Sequence, residues 1–222
     1  MNNKDKYLES KYVKAGTLLS PLPVVMVSCQ SQETPANIVT VAWVGIVNSE
    51  PPMISVSIRP ERHSHKIIKD SSEFVVNLVD KDLLNACDFC GVKSGRDFDK
   101  FEYCKLEKIK IDGMEQTPGI ASSPLCLGCK VKDVISLGSH DMFLAEIVSC
   151  RLRGDVLDEN QRIRIEEIGL VSYAHGQYME LGPWLAFFGS SLAKKEIFNK
   201  KALRYKRYNS RFKQVKKSSK SR

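Results

Sequence analysis

The sequence lacks the segments that would assign it to a membrane or to one of the common nucleotide-binding folds. No apolar run reaches the roughly 18–20 residues that a membrane-spanning helix requires, and residues 1–6 contain no hydrophobic signal region. We therefore expect a cytoplasmic protein without a membrane span. The chain also has no G-x-G-x-x-G, G-x-x-x-x-G-K-[ST], G-x-S-x-G or H-E-x-x-H motif. Rossmann, P-loop, α/β-hydrolase and zinc-protease sites therefore have no support.

Acidic residues are scarce at the C-terminal end. The 222-residue chain has a formal net charge of +8, but residues 194–222 contain thirteen Lys or Arg and one acid, Glu196, a net of +12, which leaves −4 for residues 1–193. The last ten residues have few apolar side chains and are predicted to stay mobile. We expect one domain over residues 1–193 and a basic, partly helical or disordered tail over residues 194–222. Nucleic-acid contact by the tail is a disfavoured alternative, since Tyr205 and Tyr208 are its clearest stacking groups.

Cysteine is present seven times, an odd number, without a secretion signal, so reduced thiols are expected. The pairs Cys87/Cys90 and Cys126/Cys129 have C-x-x-C spacing, which makes a four-thiolate metal site the alternative to consider. The gap between the pairs is about twice the roughly 15–20 residues typical of such sites. Cys126 and Cys129 also lie in a predicted strand, where residues three apart face opposite sides. We predict that these cysteines are small buried hydrophobic residues and that no metal binds.

Alternating apolar residues and turn signals predict a mainly β protein. A closed or partly closed antiparallel barrel with small peripheral helices fits this pattern better than a doubly wound sheet, which would alternate strands with longer helices. A helical, basic extension is expected to begin near Pro183. Strands are predicted at residues 23–29, 38–47, 53–58, 74–78, 106–111, 125–135, 142–151 and 169–173, and short helices at residues 65–69, 81–89 and 99–104.

Several motifs occur in an order that resembles the flavin reductase-like, FMN-binding split-barrel family, and within it the flavoredoxin type. They are NIVTVAW at residues 37–43, PPMISVSIRPERHS at residues 51–64, FVVNL at residues 74–78, SGRDFDKF at residues 94–101 and HDMFLAEIV at residues 140–148. The resemblance covers roughly residues 12–180. It implies an antiparallel split β-barrel of Greek-key type, bound FMN, NAD(P)H as the electron donor and a homodimer.

The resemblance also implies which residues of this chain hold the flavin. It assigns a side-chain hydrogen bond to Asn37, ring contact to Trp43, a cation to Lys100, a position near the ring to His140 and an aromatic wall to Tyr173. Tyr178 is close enough in sequence to leave the register of Tyr173 open. Backbone contacts are implied for two further segments, Thr40, Val41 and Ala42 in the first and Ser57, Ile58 and Arg59 in the second.

The region around Ser64 has the chemistry of an anion site on independent grounds. Ser64 precedes a short apolar-faced helix as a favoured N-cap, and the free backbone N–H groups and dipole of a helix start attract phosphate. Arg59, Arg62 and Lys66 raise the local positive potential, and His63 and His65 are candidates to flank the phosphate. An ordinary capped surface helix is the alternative. We predict that Ser64 binds the phosphate.

Three other features have structural alternatives. Trp43 offers an aromatic plane beside backbone amides, yet a tryptophan in an apolar strand is most often core. Gly91 and Gly95 can bring the backbone near an anion, while the aspartates that follow can simply cap a helix. A lone histidine such as His140 is most often a structural hydrogen-bonding group. Lys93 and Arg96 are expected to face solvent or a second ligand, and no role is assigned to His175.

The sequence thus predicts an FMN-dependent oxidoreductase that passes electrons from NAD(P)H to a flavin or another small acceptor. A flavoredoxin-like electron-transfer protein, acting between redox proteins with little nicotinamide activity, is the alternative. Flavin chemistry needs little acid–base catalysis from side chains, so no catalytic residue is predicted.

Overall fold

The computed structural model describes residues 10–206 and 208–210, so the predicted mobility of the last ten residues lies outside the described part of the chain. Seven strands form an antiparallel sheet in the order β3–β2–β6–β9–β10–β5–β4. Their bounds are β2 (Val25–Cys29), β3 (Asn37–Val41), β4 (Val44–Ser49), β5 (Pro52–Ile58), β6 (Glu73–Leu78), β9 (Leu125–Ser136) and β10 (Asp141–Leu152). β3 and β4 are the two edges of this sheet.

Smaller elements surround the main sheet. β1 (Leu22–Pro23), β11 (Val171–Ala174) and β12 (Gln177–Glu180) form a three-stranded sheet, and β7 (Lys108–Ile109) pairs with β8 (Gly119–Ile120). The helices are α1 (His63–Ser71), α2 (Leu84–Val92), α3 (Lys100–Tyr103) and α4 (Lys195–Arg204), with 3₁₀ turns at Lys81–Leu83, Gly154–Val156, Ile165–Glu167 and Ser190–Leu192. The prediction of a mainly β fold with short peripheral helices is confirmed.

Both faces of the central strands are buried. In β2, Val25 and Val27 point into a cluster with Phe74, Phe143 and helix α1, whereas Met26 packs on the opposite face among residues of α2 and α3. Consecutive residues of a strand face opposite sides, which explains why all five residues of β2 are buried. The sheet therefore holds α1 on one face and α2 with α3 on the other.

The predicted strand at residues 38–47 is wrong as a single element. The chain breaks at Ala42 and Trp43, and the two halves become β3 and β4 at opposite edges of the sheet. The backbone N–H of Ser57 donates to the carbonyl of Trp43 at 2.9 Å and holds the break. The predicted strand at residues 106–111 is reduced to β7, and β8 and β12 were not predicted.

The four cysteines of the C-x-x-C pairs are buried, as predicted, but in different places. Cys87 and Cys90 pack in the cluster around α2, Cys126 packs beside Ile111, and Cys129 packs in the cluster around Phe74. Within the described residues, no group of three or more His, Cys, Asp or Glu is placed to hold a metal ion. Burial raises the pKa of the Cys90 and Cys129 thiols to about 12.

Helix α4 packs against the segment that precedes it. The rings of Trp184 and Tyr205 stack with centroids 5.0 Å apart, and the Tyr205 hydroxyl donates to Glu166 at 2.8 Å. The Asn209 side chain bonds both backbone groups of Trp184. The division of the chain at residue 194 remains a prediction. No helix in the described part of the chain is long and apolar enough to cross a membrane.

Candidate functional site

Two adjoining cavities lie between the β3 edge, the end of β5 and the loop after α2. The first, which we call the aromatic cavity, has a volume of about 410 Å³ and contains Trp43, His140, Tyr173 and Tyr178. The second, the cationic cavity, has a volume of about 500 Å³ and is rich in Lys and Arg. Their shared walls are Val39, Arg59, Arg62 and Val92. One elongated ligand can therefore occupy both.

The aromatic cavity brings together residues from six separate segments of the sequence. Trp43 is 41 % exposed, and its ring centroid lies 4.4 Å from that of His140. Tyr173 and Tyr178 are cross-strand partners on β11 and β12, and both line the cavity. The other predicted residues in this lining are Thr40, Val41, Ala42, Ser57, Ile58 and Arg59.

The β3 edge supplies backbone to the cavity wall. An edge strand has one row of N–H and C=O groups that sheet pairing does not use, and residues 39–41 of the edge strand β3 line the aromatic cavity. The Thr40 hydroxyl donates to the carbonyl of Cys87, and a Cβ at Gly91 would come within 3.2 Å of the Thr40 Cβ. Close packing of α2 on β3 thus sets the position of this wall.

The surroundings of His140 favour its neutral form. Burial lowers the pKa of its imidazole, and the nearby charge of Arg59 lowers it further. The Ser139 hydroxyl lies 3.0 Å from Nδ1. A neutral imidazole can donate or accept a hydrogen bond at the ligand, but it places no fixed positive charge beside it.

The floor of the cationic cavity consists of the three buried polar residues Asn37, Ser64 and Lys100. The Asn37 amide donates to the Ser64 hydroxyl at 2.8 Å. Gly95 presses on this pair, because a Cβ there would lie 2.2 Å from Asn37 Oδ1. Only glycine leaves room for the buried amide at this position.

The predicted capping role of Ser64 is wrong. Helix α1 begins at His63 with Arg62 at the cap position, so Ser64 is the second helical residue. Its hydroxyl still lies at the cavity floor within the first turn, where backbone N–H groups lack helical partners. His63 lines the cavity, but His65 turns away to bond Asp141, and Lys66 pairs with Asp70 along the exposed side of the helix.

Lys100 is a buried ammonium group whose hydrogen-bond partners in the described part of the chain are carbonyl oxygens. Its side chain is 3 % exposed, and Nζ donates to Ile38 O at 2.7 Å and to Cys90 O at 2.8 Å. Among residues 10–206 and 208–210 it forms no ion pair. Burial lowers the pKa of Lys100, and the charge of Arg62 acts in the same direction. A buried charge without a counter-ion is costly, so this group fits a cavity whose ligand is an anion.

The rim of the cationic cavity carries four more cations, Arg59, Arg62, Lys93 and Arg96, all exposed. Two of them cross the opening in opposite directions. Arg62 donates to the carbonyl of Gly91 at 3.0 Å, and Arg96 donates to the carbonyl of Glu61 at 3.3 Å. These reciprocal bonds join the two loops that border the cavity.

Sequence reasoning missed one polar pair in the aromatic cavity. Asp88 on α2 accepts a hydrogen bond from the Tyr178 hydroxyl at 3.0 Å, and both residues belong to the lining. Asp88 lies three residues before Gly91 on the same helix, and helical spacing from that glycine is the signal that would have indicated it.

Comparison with known proteins decides the family. Residues 18–182 match the Flavin reductase like domain family. The chain belongs to the flavin reductase-like family. The flavoredoxin of Desulfovibrio vulgaris (Miyazaki F) is 25 % identical, with a TM-score of 0.77 over 83 % of this chain and 100 % of that one. The resemblance seen in the sequence and the split-barrel fold are both confirmed.

Two further relatives show the breadth of this flavin reductase-like family. An uncharacterised protein of Aquifex aeolicus (strain VF5) is 26 % identical over 72 % of this chain and 84 % of its own length. An FMN-binding protein from Thermus thermophilus, solved with bound 1-cyclohex-2-enone, has a TM-score of 0.65 at 21 % identity, covering 78 % of this chain and 94 % of that one. At 21 % identity, this structural similarity shows a shared fold and nothing beyond it.

Proposed function

We propose that this protein binds FMN and acts as an oxidoreductase that passes electrons from NAD(P)H to a flavin or another small acceptor. The observation that carries the proposal is Lys100, a buried cation without a carboxylate partner in the described chain, at the floor of a cavity that continues into an aromatic one. A ligand with a planar ring at one end and a phosphate at the other would place the ring in the aromatic cavity and the phosphate at the cationic floor. Family membership supports the same reading.

The described residues fit FMN at both ends. Asn37, Ser64 and Lys100 would hold the phosphate, together with the first-turn N–H groups of α1 and the positive end of its dipole. Trp43, His140 and Tyr173 would border the ring, and backbone groups at residues 40–42 and 57–59 would meet its polar edge. Arg59 borders both cavities and would neutralise charge between them.

The side chains have positioning roles in this proposal. Bound FMN supplies the redox chemistry, taking a hydride or electrons from the donor and passing them to the acceptor. Trp43 and His140 orient the ring, and the neutral His140 can bond a ring edge without charging it. Since the sequence has no G-x-G-x-x-G motif, the nicotinamide of NAD(P)H would stack in the open aromatic cavity, where Trp43 remains partly exposed.

A spectroscopic titration tests flavin binding and its location together. The chain has two tryptophans, Trp43 in the aromatic cavity and Trp184 against α4. FMN should quench tryptophan fluorescence in the wild type and in Trp184→Phe, while Trp43→Phe should lose most of the quenching. Equal quenching in the two variants would contradict the placement, and no FMN uptake by the wild type would contradict the proposal itself.

Nicotinamide oxidation tests the electron donor. Loss of NADH or NADPH absorbance in the presence of protein and a flavin acceptor should exceed the protein-free background. FMN binding without such oxidation would favour the second candidate, an electron-transfer protein with redox-protein partners, which the 25 % identity to a flavoredoxin supports.

The tail tests the second candidate. Deleting residues 211–222 removes six Lys or Arg and leaves the packed α4 in place. If the tail steers acidic redox partners, exchange with them should become slower and less salt-sensitive. An unchanged rate and salt dependence would exclude that role.

A further inference from the structure

We propose that the rim of the cationic cavity is a second anion subsite, distinct from the floor, that takes the pyrophosphate of the nicotinamide dinucleotide donor. The inference rests on the proposed function and goes beyond it, since it assigns Lys93 and Arg96 to the co-substrate rather than to the bound flavin. It follows from the charge, the two-level arrangement and the position of the cavity.

The cavity holds more positive charge than one phosphate requires. Five Lys or Arg line it, and Glu61 is the only carboxylate in the described lining. Glu61 lies 3.5 Å from Arg59 and partly offsets that one cation. A phosphomonoester carries about −1.5 to −2 at neutral pH, which Lys100, the start of α1 and one arginine can neutralise. The remaining cations would stay uncompensated with FMN alone.

The cations are arranged at two levels. Lys100 is buried with Asn37 and Ser64, whereas Lys93 and Arg96 are exposed on the loop after α2. Arg62 and Arg96 each donate one hydrogen bond to a backbone carbonyl. A guanidinium has five N–H donors. The pair is therefore held in place with donors left for an anion. His63 also feels the positive charge of this cavity. Burial lowers the pKa of its imidazole, and the charges of Arg96 and Lys100 lower it further.

The location of the rim suits a dinucleotide. A nicotinamide that reacts at a ring in the aromatic cavity has its pyrophosphate one ribose away. The rim adjoins that cavity through Arg59, Arg62 and Val92. A third cavity of about 270 Å³ continues beyond Gly95 and Arg96 to Phe98 and can accept the rest of an elongated ligand. An FMN whose ring lies in the aromatic cavity and whose phosphate lies at the floor would have no part left to extend in that direction.

The test uses FMN-saturated protein and pyrophosphate as the probe, measured by calorimetry. Wild type should bind pyrophosphate, and the double variant K93Q/R96Q should bind it about tenfold more weakly, because charge-assisted hydrogen bonds are lost. The matched control K66Q/K69Q removes the same charge from the exposed side of α1 and should bind like wild type. The FMN dissociation constant should be unchanged in both variants.

Kinetics identify the co-substrate. In K93Q/R96Q the KM for NADH and NADPH should rise about tenfold with kcat retained. The rate with 1-benzyl-1,4-dihydronicotinamide, which has the reactive ring and no phosphate, should be unchanged. If only the KM for FMN as the electron acceptor rises, the rim binds the acceptor. That result would overturn the proposal that the rim binds the nicotinamide donor.

Four binding results would overturn the inference. Pyrophosphate that does not bind FMN-loaded wild type, or that binds equally to K93Q/R96Q, would show that the rim is no subsite. A weaker FMN affinity in that variant would assign the rim to the flavin phosphate. A wild type that takes up no FMN would overturn the proposed function and this inference with it, and that result is visible before any pyrophosphate is added.

Discussion

A few buried contacts fix the floor of the cationic cavity. Asn37 holds the Ser64 hydroxyl, Gly95 packs on the Asn37 amide, and Lys100 bonds the carbonyl next to Asn37. Each contact limits the freedom of the next, so the floor is set before any ligand arrives. Such preorganisation reduces the entropy that binding must cost.

Ser64→Ala should show how much of the FMN affinity comes from the phosphate and how much from the ring. We expect the FMN dissociation constant to rise about tenfold, the effect of losing one hydrogen bond to a charged group. Riboflavin, which has no phosphate, should bind as to wild type. Ser71→Ala is the control, because Ser71 lies on the same helix and its hydroxyl bonds Ile67 O away from the cavity. Equal losses for both flavins would show that Ser64 only supports the fold.

At the scale of elements, one side-chain pair connects the two halves of the site. His65 follows Ser64 on α1, and Asp141 follows His140 at the start of β10. His65 Nε2 lies 2.8 Å from Asp141 Oδ2, and both side chains are mostly shielded from solvent. This pair therefore helps to set the distance between the phosphate floor and the ring wall.

Asp141→Ala should weaken only a ligand that spans both cavities. FMN affinity should fall about tenfold, because a ligand bound at two points depends on their separation. Riboflavin and inorganic phosphate, titrated separately, should bind as before. Asp133→Ala, which removes an exposed carboxylate from β9, should leave all three affinities unchanged. A parallel loss for riboflavin would mean that the variant distorts the ring wall instead.

The contacts of Glu73 on β6 make the stability of the protein depend on pH. Burial alone would raise the pKa of Glu73, but the Lys130 ammonium and the backbone N–H groups of residues 115–117 overcome it and lower that pKa to about 2. Because the folded pKa lies below the unfolded value of about 4.3, the stabilisation is complete above that value and is lost as the pH falls toward 2. It ties the loop before β8 to β6.

Glu73→Gln should lower the free energy of unfolding at neutral pH by about 3 kcal/mol. Urea titrations of wild type and variant should give a difference that shrinks by about half near pH 3, where the unfolded carboxyl is already protonated. Glu115→Gln is the control, since Glu115 also contacts Lys130 but its side chain is 83 % exposed. A difference independent of pH would exclude the proposed ionisation.

Local patterns predicted most strands of the main sheet and the segments that line the two cavities, and tertiary contacts decided the rest. β-rich residues run without interruption through Thr40, Trp43 and Val44, so nothing local marks the break at Trp43 that the Ser57 bond fixes. The placement of Tyr178 beside Tyr173 follows from hairpin register. Helix α1 begins before Ser64 because the chain turns at Arg59 and Arg62, and capping residues alone could not show that turn.

For the whole molecule, the open edge of the sheet argues for a homodimer. β4 is an edge strand, and Ile46 and Val47 on it are 68 % and 52 % exposed. Unpaired edges and exposed apolar side chains are usually covered in stable proteins, and a two-fold axis lets the same strand cover its copy. Trp43 directly precedes β4, so a partner at this edge would also lie next to the aromatic cavity.

Sedimentation tests the expected dimer, and Ile46→Glu tests whether β4 forms its interface. Wild type should sediment at about twice the chain mass of 25.0 kDa, whereas Ile46→Glu should sediment as a monomer, because a two-fold axis places two carboxylates together in an apolar contact. Ile163→Glu alters a side chain of similar exposure outside β4 and should remain dimeric. If the partner also shields the aromatic cavity, monomeric Ile46→Glu should bind FMN more weakly than Ile163→Glu does. A monomeric wild type would exclude the dimer, and a dimeric Ile46→Glu would place its interface away from β4.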